Sequence, residues 1–255
     1  MFFHQAGSML RLCCIRVMVP VLLLAGMRHA WAGPDALWHI VHEQCRPHGP
    51  DHSVSPCVTV NHRYAVLKDR VGASQYLLIP TRRLTGMEDP LITRADAPDY
   101  FAYAWRQADR VSQHLGRTLP PDDLSLAINS AYGRSQNQLH IHVDCIRPDV
   151  KVALHWARPR LGPAWTPLPL AGHAYRARLV GTGNLAGIRP FRLLMRDMAD
   201  PVHEMGRHTL VVSAITRPDG QVEFVLLDDR TDPTRADPAS GEELQDHTCG
   251  IARFP

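Results

Sequence analysis

Lysine is nearly missing from this sequence. It occurs only at Lys68 and Lys151, and every other basic residue is arginine. No run of five or more basic residues is present, and the formal net charge is only +3. The chain therefore lacks the electrostatic footprint of a nucleic-acid partner. An arginine bias suits forked recognition of phosphate, and it is equally the mark of an arginine-rich genome. There is no Cys-x-x-Cys pair, which removes the usual cysteine-zinc frameworks. No helix of the His-Glu-x-x-His or His-x-x-x-His type is present to build a histidine metal site. The apolar run Val17 to Met27 falls well short of the roughly 20 residues that span a bilayer.

What is present begins at the N-terminus. Arg11 and Arg16 precede that short apolar run, and Ala30-Trp-Ala32 follows it. Positive region, hydrophobic region and A-x-A site come in the order of a secretory signal. We expect residues 1–32 to be a cleaved signal, with a retained N-terminal membrane anchor as the rival. Residues 33–255 then form the exported part, long enough for one large domain or two small ones. An apolar fraction of 45% with 21% charge is ordinary for a globular chain.

Cysteine usage agrees with export. Cys13 and Cys14 leave with the signal, and Cys45, Cys57, Cys145 and Cys249 remain. An even number in an exported chain suggests disulfides. Of the three connectivities, the expected one closes the short Pro-rich loop with Cys45–Cys57 and leaves Cys145–Cys249. Four unpaired buried thiols are the alternative.

Periodicity marks the elements. Asp35 to Cys45 reads as a short helix capped by Asp35, and Arg46 to Pro56 as loop. Residues 64–80 read as strand, turn at Gly72, strand. Asp99 caps a helix over Tyr100–Leu115 that Gly116 stops. Leu124 to Asn129 is a strand leading through a polar turn at Gly133 into a second hairpin. Residues 159–169 read as a Pro-rich surface segment, and 191–198 as helix. Leu210 to Leu227 forms a hairpin around Asp219-Gly220. Its layout echoes residues 64–79, so the second half has the look of a degenerate copy of the first.

The segment Gln138-Leu-His-Ile-His-Val-Asp144 carries the chemistry. Strand alternation puts Leu139, Ile141 and Val143 on one face, and Gln138, His140, His142 and Asp144 on the other. With 15 histidines in 255 residues, about one His-x-His is expected by chance, so the pair means little alone. It has company. Tyr76-Leu-Leu-Ile-Pro80, Ser125-Leu-Ala-Ile-Asn129, His140-Ile-His-Val-Asp-Cys-Ile-Arg-Pro-Asp149, His203-Glu-Met-Gly-Arg207 and the tail Asp246-His-x-Cys249 form a set.

That set resembles the histidine-triad superfamily of nucleotide hydrolases and transferases, and more closely the bacterial CDP-diacylglycerol pyrophosphatases, over roughly residues 37 to 250. The resemblance implies an α+β fold with a HIT-like antiparallel sheet, helices packed on one face and a C-terminal extension clamped by Cys249. It implies hydrolysis of CDP-diacylglycerol to CMP and phosphatidate at the membrane surface, on the periplasmic side of the bacterial inner membrane, without cofactor or metal. His140 falls on the nucleophile and His142 on the third histidine. Asn129 falls near phosphate and sugar. Ser135 is placed to donate to the departing phosphate, and Arg147 to reach a phosphate or simply end the strand. Gln138 replaces the first histidine of the triad. It can donate and accept hydrogen bonds but cannot take a proton at neutral pH.

Two other readings stay open. A metal-dependent phosphohydrolase would use His140 and His142 as ligands and needs a third. A non-catalytic periplasmic domain would bind a nucleotide or lipid head group and turn nothing over. Asn129 and Ser135 are also common turn formers. Asp144 is expected to solvate the strand end, and His203, His208 and His247 to be surface or structural.

Overall fold

A computed structural model describes residues 33–45 and 55–253, together with Met1. The expected signal or anchor lies outside the described residues, as does most of the loop expected over 46–56. Residues 31–255 form one compact unit, which carries everything that follows. Among the described residues no helix is long and apolar enough to cross a membrane.

Nine strands form one sheet in the order β1-β2-β3-β5-β4-β8-β9-β7-β6. These are β1 (Cys57–Val60), β2 (Tyr64–Lys68), β3 (Tyr76–Pro80), β4 (Leu124–Ile128), β5 (Ile141–Cys145), β6 (Thr166–Pro167), β7 (Arg176–Thr182), β8 (His208–Thr216) and β9 (Val222–Arg230). Every neighbouring pair is antiparallel. The helices are α1 (Ala36–His39, prolonged by a π turn through Cys45), α2 (Tyr100–Trp105), α3 (Asp109–Leu115), α4 (Pro148–Ala157), α5 (Pro190–Met195) and α6 (Pro201–Glu204). The α+β architecture and the antiparallel sheet agree with expectation.

The expected helix over 100–115 is broken into α2 and α3. Asp99 caps α2 through Ala102 N–H and Gly116 ends α3 in the left-handed conformation, as read. Between them, Gln107, Ala108, Arg110 and Val111 each donate to the carbonyl three residues back, a local tightening that ends the regular α pattern. Asp35 makes no cap bond and pairs with Arg83 instead. The 159–169 segment is also more than surface: Thr166–Pro167 is the edge strand β6, and Leu161 and Leu168 are buried.

Helices cover both faces of the sheet, not one. Phe101, Ala104, Val111, Phe191 and Leu194 from α2, α3 and α5 pack on Leu126, Val143, Leu210, Val212, Phe224 and Leu226. On the other face α1 covers the β1–β3 end with Leu37 and Val41 against Ala65, Leu77 and Ile79. There α4 covers the β8–β9 end with Val150 and Leu154 against Val211, Val225 and Leu227. The strip of β5 between these patches is roofed by the C-terminal tail.

The repeat is real in its strand order, but in a different frame. Hairpin β2–β3 leads through α2 and α3 to hairpin β4–β5, with β5 beside β3; β6–β7 leads through α5 and α6 to β8–β9, with β9 beside β7. The 208–230 hairpin therefore matches β4–β5 and not residues 64–80. In β9, the strand equivalent to β5, the histidine face carries Val225 and Leu227, sealed in the apolar cluster with α4. One half kept the polar strip and the other closed it.

Both expected disulfides form, Cys45–Cys57 with Cα atoms 5.9 Å apart and Cys145–Cys249 with 5.3 Å. They span 12 and 104 residues. Chain entropy assigns about 3 kcal/mol to the first and about 4.7 kcal/mol to the second. Guanidinium unfolding of the Cys145→Ser/Cys249→Ser protein should show the larger loss than Cys45→Ser/Cys57→Ser. Equal losses would contradict the loop-length account.

Candidate active site

Strand alternation turns Ile141 and Val143 into the helix-covered core and His142 and Asp144 to the opposite face. His142 lies between Leu77 of β3 and Ala127 of β4 in register. The His140 and His142 rings meet edge to face with centroids 4.8 Å apart, and both residues are buried. Burial disfavours the charged imidazole. It pushes His140 below its ordinary pKa, outweighing the Gln138 carbonyl that opposes it. It pushes His142 well below, helped by His140 and His247. Both rings are neutral at pH 7.

The partners then fix the tautomers. His140 Nδ1 stands 2.7 Å from the Gln138 carbonyl oxygen. A carbonyl only accepts, so Nδ1 carries the proton and Nε2 the lone pair. His142 Nδ1 lies 2.6 Å from Gln75 Nε2 and 3.1 Å from Glu242 Oε1. The Gln75 amide nitrogen is the nearer of the two and can only donate, so Nδ1 is the acceptor. The proton is then left on Nε2. That nitrogen is buried without a partner among the described residues. One histidine thus offers a lone pair and its neighbour a donor.

Asn129, at the end of β4, donates to Glu242 Oε2 at 2.5 Å and accepts from Ser240 Oγ and Glu242 N–H at 3.2 and 3.3 Å. It stands at the same carboxylate as His142. Gly241 lets this segment come close, because a Cβ there would lie 2.7 Å from both Thr209 Oγ1 and Val211 Cγ2. Gln138 is fully buried, and its amide is spent on backbone: Nε2 donates to the carbonyls of Pro80 and Arg82 at 3.0 and 2.9 Å, and Oε1 accepts from Leu84 N–H at 3.4 Å. Its side chain serves the loop after β3, and its backbone carbonyl serves His140. Ser135 is exposed, and among the described residues no hydrogen bond ties it to the pair. Arg147 is engaged by the Asp149 carboxylate and the Glu243 carbonyl, at 2.7 to 3.0 Å.

Several functional candidates were not read from the sequence. Asp144 is fully buried, not solvated, and accepts from His247 Nδ1 at 2.8 Å and from Ser74 Oγ at 3.3 Å. Burial pushes its carboxyl up, against those bonds. The Asp144 bond raises His247, which stands 3.8 Å from Glu242 through Nε2. His247 therefore belongs to the site, and His208 is buried rather than on the surface. Arg134 is clamped by both oxygens of Glu88 at 2.6 and 2.8 Å, and its Nε is buried without a partner among the described residues. Its charge is one that opposes protonation of His140. Only the Asp246-His-x-Cys249 motif hinted at this tail; nothing in the local sequence marks Glu242 or Arg134.

Residues 32–253 match the family model of CDP-diacylglycerol pyrophosphatase. The chain belongs to the CDP-diacylglycerol pyrophosphatase family. A CDP-diacylglycerol pyrophosphatase of Yersinia pestis is 41% identical over 244 residues, 93% of this chain and 93% of that one. Among solved structures, a DUF4931 family protein of Bacillus cereus is similar with a TM-score of 0.39 at 10% identity, covering 77% of this chain and 95% of that one; so distant a likeness bears no argument. The family match takes in the histidine pair, Asn129 and the whole tail through Glu242 and His247.

The Gln138 bonds make a sharp expectation. An imidazole cannot satisfy two carbonyls and an amide N–H together, so Gln138→His should lose about 1–3 kcal/mol of stability and gain no turnover. Denaturant unfolding and kcat measure both. A faster, equally stable variant would refute the structural role.

Proposed function

We propose that this protein hydrolyses the pyrophosphate bond of CDP-diacylglycerol through a nucleotidyl-histidine intermediate on His140. The single observation that carries the step is the Nδ1–H of His140 held on the Gln138 carbonyl, which presents a lone pair at Nε2. Attack forms an Nε2–P bond to the cytidylyl phosphorus and breaks the P–O bond to phosphatidate, which leaves as its own anion. The ring becomes a cationic phosphoramidate, and the Gln138 carbonyl stabilises its Nδ1–H. His142 Nε2–H, otherwise unpartnered, donates to a phosphoryl oxygen as charge grows there. Water then attacks phosphorus, the N–P bond breaks, CMP departs and the water's proton goes to solvent. The covalent route divides one difficult displacement into two easier ones.

Asn129 is the donor we assign to the phosphates, and Arg134, clamped by Glu88, adds positive charge that acts on His140. Glu242 now holds Asn129, so substrate must take over that amide. The ligand set a metallohydrolase needs is not gathered at the pair: among the described residues, the one group of three or more metal-ligating side chains lies elsewhere. The two disulfides fit an oxidising compartment, which supports export of residues 33–255 to the periplasmic side of the inner membrane, with 1–32 as signal or anchor. Exposed Val152 and Trp156, one turn apart on α4, support contact with a lipid surface. Replacing both by Ser should weaken binding to anionic vesicles, and unchanged binding would remove that face from consideration.

His140→Ala should reduce kcat for CMP release by at least about 10³-fold, while CMP binding persists. Asn129→Ala should mainly raise KM. The nucleophile must be neutral, and burial lowers its pKa. The plateau of kcat/KM should therefore extend to the acid side of pH 6.5, falling only as pH drops through the depressed value. An acid limb centred above 6.5 would contradict this assignment.

A further inference from the structure

The second half of the sheet holds a cluster that the chemistry above does not use. His173 sits at the tip of the tight β6–β7 turn, where Ala171 and Gly172 both have positive φ. Asp229 lies near the end of β9, and Asp237 in the segment that follows it. One ligand atom from each lies within 4.8 Å of the others. Asp229 and Asp237 are both buried, at 3% and 5% exposure. Among the described residues, the buried Asp229 Oδ2 has no hydrogen-bond partner. Glu243 brings a third carboxylate, with Oε1 2.8 Å from His173 Nδ1 and held by the Tyr175 hydroxyl at 2.7 Å.

Within the cluster itself, three carboxylates face one imidazole. Burying carboxylates without a cation is costly, and Asp229 and Asp237 lie buried side by side. Polar replacements would have avoided that cost. A cavity of about 810 Å³ reaches Asp229 and Asp237, and Arg176, Arg207, Arg230 and Arg235 line it as well.

We propose that His173, Asp229 and Asp237 bind one divalent cation, with Glu243 as a fourth donor. One imidazole among carboxylates suits Mn²⁺ or Zn²⁺. The ion would join three separate elements and pin the 237–243 segment to the sheet. That segment carries Ser240 and Glu242 to Asn129, so the ion would brace the active site without entering the chemistry.

The test is calorimetric titration of chelator-stripped full-length protein with MnCl₂ and ZnCl₂, beside Asp229→Asn, Asp237→Asn and His140→Ala, each also melted with and without the ion. One equivalent should bind to the unmutated chain and to His140→Ala alike. Affinity should fall by more than about 100-fold in each Asn variant, beyond the loss typical of a partner outside the ligand set. Melting should invert in order. Stripped Asp229→Asn should be at least as stable as stripped wild type, since repulsion is relieved, but only wild type should gain from the ion. Absence of stoichiometric binding below roughly 1 mM, or full-strength binding by both Asn variants, would overturn the proposal. If either Asn variant fails to fold, His173→Gln takes its place with the same expectation.

Discussion

Everything in the site depends on one strand being buried on both sides. β5 sits in the middle of its half of the sheet, between β3 and β4, with Ile141 and Val143 in the main core. Its other face would be sealed as well if it carried apolar residues, and β9 shows that outcome in Val225 and Leu227. Histidines there are neutral because they are dry, and their tautomers are set because each has one dominant partner. The same burial that weakens them as bases makes them available as a lone pair and a donor at neutral pH.

The tail converts this strip into a site. Asp246 N–H bonds the Cys145 carbonyl, Arg147 N–H the Leu244 carbonyl, and Ala73 N–H the His247 carbonyl. Cys249 closes the arrangement covalently onto Cys145 at the end of β5. Glu242, delivered by the close approach at Gly241, shares its carboxylate between Asn129 and the neighbourhood of His142. A carboxylate and a phosphate ask for the same donors, and in this structure the Asn129 amide is given to Glu242. The C-terminal extension is thus part of the candidate site, held there by the same contacts that anchor it to the sheet.

Much of this was legible. Alternation around Ile141 placed the histidines on one face because a half-apolar strand has no other way to pack. Asp99 and Gly116 marked the ends of the 100–115 segment, and Asp219-Gly220 marked the β8–β9 turn, because cap and turn geometry are local demands. The short Cys45–Cys57 spacing favours one of three pairings, and both disulfides of that pairing form. What was not legible is what depends on distant partners. Asp144 looked like a strand-end carboxylate until Ser74 and His247 closed over it. Gln138 looked like a weakened triad position, and only Pro80, Arg82 and Leu84 show what its amide is for. β7 gives no apolar strand signal in the sequence, because its Arg176-Ala-Arg-Leu179 alternation is charged on one side. The repeat was seen in the wrong frame because hairpins resemble one another, and only strand order distinguishes them.

The central claim is that His140 becomes covalently nucleotidylated. Phosphoramidates survive alkali, so the direct measurement is an alkaline quench during turnover of CDP-diacylglycerol, followed by mass spectrometry of the peptide containing His140. The account predicts a cytidylyl adduct on His140 that accumulates before steady state and is missing from His140→Ala. Steady turnover with His140 unmodified, or an adduct on another residue, would contradict it.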